Sequence, residues 1–183
     1  QKKPLKVYIL SGQSNMEGSF VTPKDDTSRD FVRQSLNESK PEPGPINENI
    51  VSAMTLFDVL TAHGIRYVVD PNNPYTAVQA DRVDYVQFAR ETLKIKSGDC
   101  DDLSVLLSAG LENLGVQTAI LDVPDHLLMM FNTGLSEHRK DQISLQDDLL
   151  IVRDGEIWIP VEATMIGTSF AEAWAEGARK YNK

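Results

Sequence analysis

The sequence predicts an α+β fold in which a central helix packs against an antiparallel β-sheet. Three stretches before Gly115 carry apolar residues at helical spacing, whereas the runs after Gly115 are short, extended and separated by turns. The dipeptide Asp154-Gly155 stands between two of these runs and is a strong hairpin signal. Because helices and strands are segregated along the chain, the class is α+β rather than alternating α/β.

The composition is that of a folded domain. The chain has 183 residues, of which 41% are hydrophobic and 25% are charged. A net charge of -9 argues against nucleic acid and against anionic membrane surfaces as partners. No apolar run approaches membrane-spanning length, so we expect no membrane insertion. One cysteine excludes an intramolecular disulfide, and the start at Gln1 rather than Met suggests a processed or excised piece of unknown oligomeric state.

Residues 1–45 are predicted to be an N-terminal strand and a polar linker that precede a domain in residues 46–183. Residues 6–10 (KVYIL) are rich in strand formers, and residues 22–45 are polar and contain several prolines. Residues 12–16 (GQSNM) resemble the nucleophile block of the SGNH-type carbohydrate esterases, which makes Ser14 an alternative nucleophile. That fold also needs an Asp-x-x-His pair near the C-terminus, which the chain lacks, and a turn after an edge strand is the other interpretation.

Helical periodicity marks the first part of the predicted domain. The three predicted helices span residues 46–63, 83–95 and 100–114. The third has apolar residues around much of its circumference, which predicts that it is central and buried. Gly64 and Gly115 follow the first and third helices and are suited to end them.

Four extended runs and a final helix are predicted after Gly115. The runs span residues 116–123, 126–132, 149–153 and 156–163, and an amphipathic helix follows from Ser169 to Tyr181. Met129 and Met130 are neighbours in one run, so their side chains point to opposite faces and we expect one of them in the core.

Three residues with complementary chemistry stand at the ends of predicted elements. Cys100 lies in the first turn of the third helix, where unpaired N–H groups and the helix dipole favour a thiolate. His126 begins a strand, and Glu162 lies near the end of another. If these strands pair in order, the three groups meet as a nucleophile, a base and a carboxylate that orients the base. The alternative is that Cys100 is a small buried hydrophobic residue.

Three sequence blocks resemble those of the transglutaminase-like superfamily within the papain-type cysteine enzymes. The blocks are residues 98–103 (GDCDDL), 123–126 (VPDH) and 158–164 (WIPVEAT), and the similarity covers about residues 46–181. The resemblance implies a papain-like core and a catalytic triad of Cys100, His126 and Glu162. The third position is usually Asp in that superfamily, and Glu162 departs from this pattern.

The resemblance also implies an oxyanion site. Its donors would be the backbone N–H of Cys100 and a polar side chain from the preceding segment. Gln87 is the candidate for this side chain, with Tyr85 behind it, and the alternative is that Gln87 is a solvated helix residue.

Three acidic residues flank the thiol: Asp99, Asp101 and Asp102. Their negative charge opposes a thiolate, although acids in the first turn of a helix complement its dipole. A related branch, the periplasmic bacterial proteinases that cleave biofilm adhesins, has a similar acidic block that binds Ca²⁺. The resemblance therefore implies a calcium site at these three residues and favours an extracytoplasmic bacterial location.

Three functions follow from these residues. The first is a cysteine hydrolase that acts on an amide bond of a protein or peptide substrate, with no required cofactor beyond calcium if the acidic block binds it. Its thioester intermediate would pass to water or to an amine. The second is a catalytically inactive transglutaminase-like binding module of a larger protein, and the third is an esterase that uses Ser14.

Overall fold

An antiparallel sheet lies at the centre of the fold. The computed structural model describes residues 6–9 (backbone only), 47–69, 86–124, 126–144 and 146–183. In chain order the elements are β1 (Lys6–Ile9), α1 (Glu48–Ala62), β2 (Arg66–Tyr67), α2 (Ala89–Ile95), β3 (Ser97–Gly98), α3 (Cys100–Asn113), β4 (Thr118–Val123), β5 (His126–Ser136), β6 (Ile151–Arg153), β7 (Glu156–Val161) and α4 (Phe170–Tyr181). The sheet has the strand order β1-β4-β5-β7-β6 with antiparallel neighbours, which confirms the α+β class.

The first strand belongs to this sheet. β1 pairs with β4, from Lys6 opposite Asp122 to Ile9 opposite Ala119. The strand satisfies backbone groups along one edge of β4. The domain boundary near residue 46 stays a prediction. The rest of residues 1–45, including Ser14 and the esterase-like block, lies outside the described residues.

The helices begin at defined caps. Asn47 caps α1 by accepting a hydrogen bond from the Ile50 N–H at 3.0 Å. α2 begins at Ala89 and is shorter than predicted, because Phe88 is extended and its N–H is bound by the Glu91 carboxylate at 2.9 Å. The predicted start at residue 83 falls in a segment outside the described residues.

The central, buried position predicted for the third helix is confirmed in α3. Its leucines at 103, 106, 107 and 111 are all buried in the main core. Gly110 lets α1 approach closely, since a Cβ at this position would lie 2.6 Å from Leu56 Cδ2. α3 therefore lies between α1 and the sheet, and its first residue lies near the start of β5.

Both faces of the sheet bury apolar side chains. One face packs against the helices and includes Met129, Phe131 and Ile159. The other carries a second cluster with Leu128, Met130 and further residues. Met129 and Met130 lie on opposite faces, as predicted, and both are about 1% exposed, so the second methionine is buried as well as the one expected in the core. No helix among the described residues has the length and apolar character needed to cross a membrane.

The C-terminal helix packs against the backbone at the end of β7. β6 pairs with β7 only as far as Trp158, and α4 contacts the backbone beyond this point. The Glu162 N–H donates to the Ala173 carbonyl at 3.0 Å. Gly177 faces Pro160, and a Cβ there would come within 2.8 Å of the Pro160 carbonyl oxygen. These contacts bring the last turn of α4 to the residue that follows β7.

Candidate active site

Cys100 is the first residue of α3 and faces the start of β5. Asp99 caps the helix, and its side chain and that of Asp102 each bind the other residue's backbone N–H. The thiol is buried, with the residue 8% exposed, and the Leu127 backbone N–H is directed at its sulfur. Leu127 follows His126, so the cysteine and histidine blocks meet where α3 and β5 begin.

His126 and Glu162 form a hydrogen-bonded pair. The Nε2 of His126 lies 2.7 Å from Oε2 of Glu162, and their side chains are 17% and 1% exposed. The pairing of β5 with β7, with Met129 opposite Val161, brings these two residues together. Because Nε2 is engaged by the carboxylate, Nδ1 is the ring nitrogen left to accept a proton from a thiol.

Glu162 is held as a carboxylate by three residues. Its Oε1 accepts hydrogen bonds from the Thr164 N–H at 3.0 Å and the Thr164 hydroxyl at 2.5 Å. Its Oε2 lies 2.5 Å from the Lys180 ammonium group as well as 2.7 Å from His126. Burial opposes the charge, but the hydrogen bonds from His126, Lys180 and Thr164 outweigh it and lower the pKa of Glu162 to about 2.

The thiol of Cys100 has an environment that favours its protonated form. Burial raises its pKa above the usual range, and the nearby Asp99 and Asp101 carboxyl groups add to this effect. The backbone N–H groups of Leu127 and Asp101 act in the opposite direction and do not compensate. The helix-terminus effect expected from the sequence is therefore outweighed by burial and by negative charge.

Asp99 and Asp101 form an acidic pair beside the thiol. Burial, together with the hydrogen bond and the charge of Asp99, raises the pKa of Asp101 to about 8. The Asp101 Oδ1 also accepts a hydrogen bond from the Asp102 N–H at 2.8 Å. At neutral pH Asp101 is therefore mostly protonated, which removes one negative charge from the neighbourhood of the sulfur.

Gln87 is bound to Asp102. Its backbone N–H donates to Asp102 Oδ1 at 2.7 Å and its side-chain Nε2 donates to Asp102 Oδ2 at 2.6 Å. Gly98 leaves room for this carboxylate, since a Cβ there would lie 2.5 Å from Asp102 Cβ. Through these two hydrogen bonds, Gln87 connects the segment before α2 to the helix that carries Cys100. Its role as an oxyanion donor stays a prediction, and Tyr85 lies outside the described residues.

The side chain of Tyr67 is a part of the site that the sequence interpretation missed. β2 pairs in parallel with β3, which places Tyr67 opposite Gly98, two residues before Cys100. Burial raises the pKa of the Tyr67 hydroxyl, and so do the nearby groups of Cys100, Asp99 and Glu162. The sequence indicated an extended segment here but held no signal for a parallel pairing with the residues that precede the cysteine.

Comparison of the chain with protein-family models, with curated proteins and with solved structures found no match. The site is therefore interpreted from its own geometry. The structure joins His126 to Glu162 and puts Cys100 beside the residue that follows His126. It separates the acidic block into two groups: Asp99 and Asp101 beside the sulfur, and Asp102 bound to Gln87.

The acidic block offers only a part of the ligand set that a calcium ion would need. One carboxylate oxygen each from Asp99 and Asp101 and the Cys100 sulfur lie within 4.8 Å of one another. Ca²⁺ takes about six to eight oxygen ligands, and sulfur is not among the ligands it prefers. Asp102, the third predicted ligand, directs both carboxylate oxygens at Gln87. Calcium at this block stays a prediction, and no step of the chemistry below depends on it.

Proposed function

We propose that this protein is a cysteine hydrolase of the transglutaminase-like type, with a papain-like core, that cleaves an amide bond of a protein or peptide. The observation that carries the proposal is the 2.7 Å hydrogen bond between the half-buried His126 and the buried Glu162, at the strand end that faces the helix beginning with Cys100. A general base needs a proton acceptor of fixed orientation, and the Glu162 carboxylate supplies this orientation through Nε2.

The chemistry follows from the protonation states of the site. Since burial and acidic neighbours favour the thiol form of Cys100, the thiol proton moves to His126 Nδ1 as the sulfur attacks the carbonyl carbon. The resulting imidazolium is stabilised by the Glu162 carboxylate and returns the proton to the departing amine. The C–N bond breaks, and the acyl group remains on Cys100 as a thioester.

The second half of the reaction releases the acyl group. A water molecule attacks the thioester carbon while His126 takes a proton from it, and the sulfur leaves and regains a proton. The products are a carboxylic acid and the free enzyme. An amine in place of water would give a new amide by the same steps, so the two outcomes differ only in the second nucleophile.

The alternative of an inactive binding module is favoured by one observation. The pKa of the Cys100 thiol is raised by burial and by Asp99 and Asp101, which is the opposite of the usual state of a preformed catalytic thiolate. On this interpretation the histidine–glutamate pair only supports the start of β5. The esterase that would use Ser14 stays a separate prediction, since Ser14 lies outside the described residues.

Acylation of the thiol distinguishes these functions. The chain has a single cysteine, so peptide mapping by mass after mixing with p-nitrophenyl acetate distinguishes an acetyl group on Cys100 from one on a lysine or on Ser14. We expect the wild-type protein to acylate and then lose the acetyl group to water. His126→Asn keeps a group that can hydrogen-bond Glu162 but cannot take the proton, and we expect acylation to fall by about 10²- to 10⁴-fold.

His138→Asn is the matched control, because this residue lies in the exposed 3₁₀ turn Glu137–Gln142. We expect it to acylate at the wild-type rate. Equal acylation of the wild-type and His126→Asn proteins would overturn the proposed hydrolase and support the binding module. Addition of an amine such as glycine ethyl ester then separates hydrolysis from transfer, since only transfer yields the acetylated amine.

A further inference from the structure

We propose that Lys180 is a positioning residue of this site: it binds the same oxygen of Glu162 as His126, and its positive charge opposes protonation of the histidine ring. The role in turnover rests on the proposed function. The effect on the ring does not, and it can be measured whether or not the protein hydrolyses an amide.

The first support is the distribution of hydrogen-bond partners between the two oxygens of the Glu162 carboxylate. Thr164 binds Oε1 through its backbone N–H and its hydroxyl. His126 and Lys180 both bind Oε2, at 2.7 and 2.5 Å. The His126 ring therefore shares Oε2 of Glu162 with Lys180. A proton gained at Nδ1 of His126 would place a second positive charge beside the Lys180 ammonium group.

The second support is the way α4 places the lysine. Ala173, Gly177 and Lys180 are spaced four and three residues apart, which puts them on one face of the helix. Ala173 accepts a hydrogen bond from the Glu162 N–H, and Gly177 packs against the Pro160 carbonyl. The position of Lys180 is thus set by backbone contacts that involve Glu162 itself. Its side chain is 25% exposed, so its charge is partly shielded from water.

The third support is the set of charges around the ring. Glu162 and Lys180 contact each other and His126 is bound to the same carboxylate, while Glu176 from α4 is near enough to Glu162 to act on its charge. Among the described residues, the Tyr67 hydroxyl is near enough to Glu162 and to the Cys100 thiol for their charges to act on it. In this set Lys180 is the cation that opposes protonation of His126, because the guanidinium of Arg179 is bound to Glu176 at the exposed side of the helix.

The experiment replaces the charged side chain of Lys180 and measures the protonation of the His126 ring directly. We compare wild type with Lys180→Met and Lys180→Arg by the NMR titration of the His126 ring signals. We expect Lys180→Met to raise the pH midpoint of His126 by about one unit, because a like charge is removed and Oε2 of Glu162 then binds the ring without a competing ammonium group. Lys180→Arg keeps the charge and is expected to restore a midpoint close to that of wild type. The matched control Arg179→Met removes a neighbouring cation of the same helix and should leave the midpoint unchanged.

Turnover gives the second measurement. With p-nitrophenyl acetate, the midpoint of the acid limb of kcat/KM should move with the ring in Lys180→Met and return in Lys180→Arg. If Lys180→Met does not fold, Lys180→Gln carries the same measurements, since it also removes the charge. A folded, charge-free variant with an unchanged His126 midpoint would overturn the inference. A shifted midpoint in a protein without turnover would support it and count against the proposed function alone.

Discussion

Glu162 links the stability of the protein to its chemistry at the scale of a single residue. The hydrogen bonds from His126, Lys180 and Thr164 overcome the burial of the carboxylate and lower its pKa from 4.5 to about 2. An acid with a depressed pKa stabilises the fold at pH values above the pKa of the unfolded state, and this contribution is lost as the pH falls through the folded-state value. For Glu162 the loss therefore occurs between about pH 4.5 and pH 2.

Replacement of Glu162 by Gln tests this contribution. Gln keeps the shape but leaves His126 and Lys180 without their shared anion, so we expect the free energy of unfolding at pH 7 to fall by about 3 kcal/mol. Urea unfolding at pH 7 and at pH 3 measures the effect, and the difference from wild type should shrink at the lower pH. Glu176→Gln is the control, because Glu176 pairs with Arg179 at the surface and should cost less than about 1 kcal/mol. Equal losses in the two variants would contradict the account.

The sequence allowed a prediction of some of these residues but not of all. Cys100, His126 and Glu162 were predicted because each stands at the end of an element and their order resembles that of the transglutaminase-like superfamily. Lys180 and Thr164 carry no such signal, since a lysine in the last turn of a helix is adequately explained by the helix dipole. The proton held by Asp101 was also unpredictable, because it depends on burial and on the distance to Asp99.

At the scale of elements, the position of α4 decides whether the site is complete. The helix is fastened to the end of β7 by the Glu162 N–H and by the close contact of Gly177 with Pro160. Glycine in a helix interior costs about 1 kcal/mol relative to alanine, so its presence at this position needs a reason. The reason is the backbone of β7, which lies where a Cβ would be.

Gly177→Ala tests the contact. Helix propensity alone predicts a gain of about 1 kcal/mol, whereas overlap of the Cβ with the Pro160 carbonyl predicts a loss of about 1–3 kcal/mol. We expect the loss to dominate, with a lower midpoint in urea unfolding. Ala175→Gly, on the exposed side of the same helix, calibrates the propensity of α4 by itself. A stabilised Gly177→Ala protein would show that the helix does not press on β7.

The order of elements was predictable because their periodicity is strong. The hairpin at Asp154-Gly155 and the helix that follows Ser169 are both present near the predicted bounds. The later start of α2 was not predictable, because the extended backbone of Phe88 depends on the anchoring of Gln87 to Asp102 in another helix. The burial of both Met129 and Met130 depends likewise on tertiary packing, which a period of two residues does not reveal.

At the scale of the whole molecule, the acidic pair beside Cys100 should shape the pH dependence of stability. The pKa of Asp101 is raised from 3.8 to about 8 by burial and by Asp99. The unfolded chain loses this proton near pH 4, while the folded protein keeps it to about pH 8. The contribution of Asp101 to stability therefore declines as the pH rises between these two values, in the opposite sense to that of Glu162.

Asp101→Asn should remove this decline. An asparagine oxygen can accept the hydrogen bond from the Asp102 N–H, and its amide can donate to Asp99 as the protonated acid does. We expect the variant to exceed wild type in unfolding free energy at pH 8 by on the order of 2 kcal/mol, and by less at pH 4. Urea unfolding at both pH values measures this difference. Asp141→Asn, at an exposed residue, should leave both values unchanged, and an equal gain at the two pH values would contradict the role of the proton.

The two edge strands of the sheet limit its pairing with other copies of the chain in concentrated solution. β1 covers the outer edge of β4 with four residues, and β6 forms the opposite edge with only three. Short edge strands give little template for pairing with another chain. Loss of β1 would bare the backbone of β4, a strand that is mostly buried and apolar. The short segment Lys6–Ile9 thus covers a strand edge that would otherwise be open to pairing with another chain.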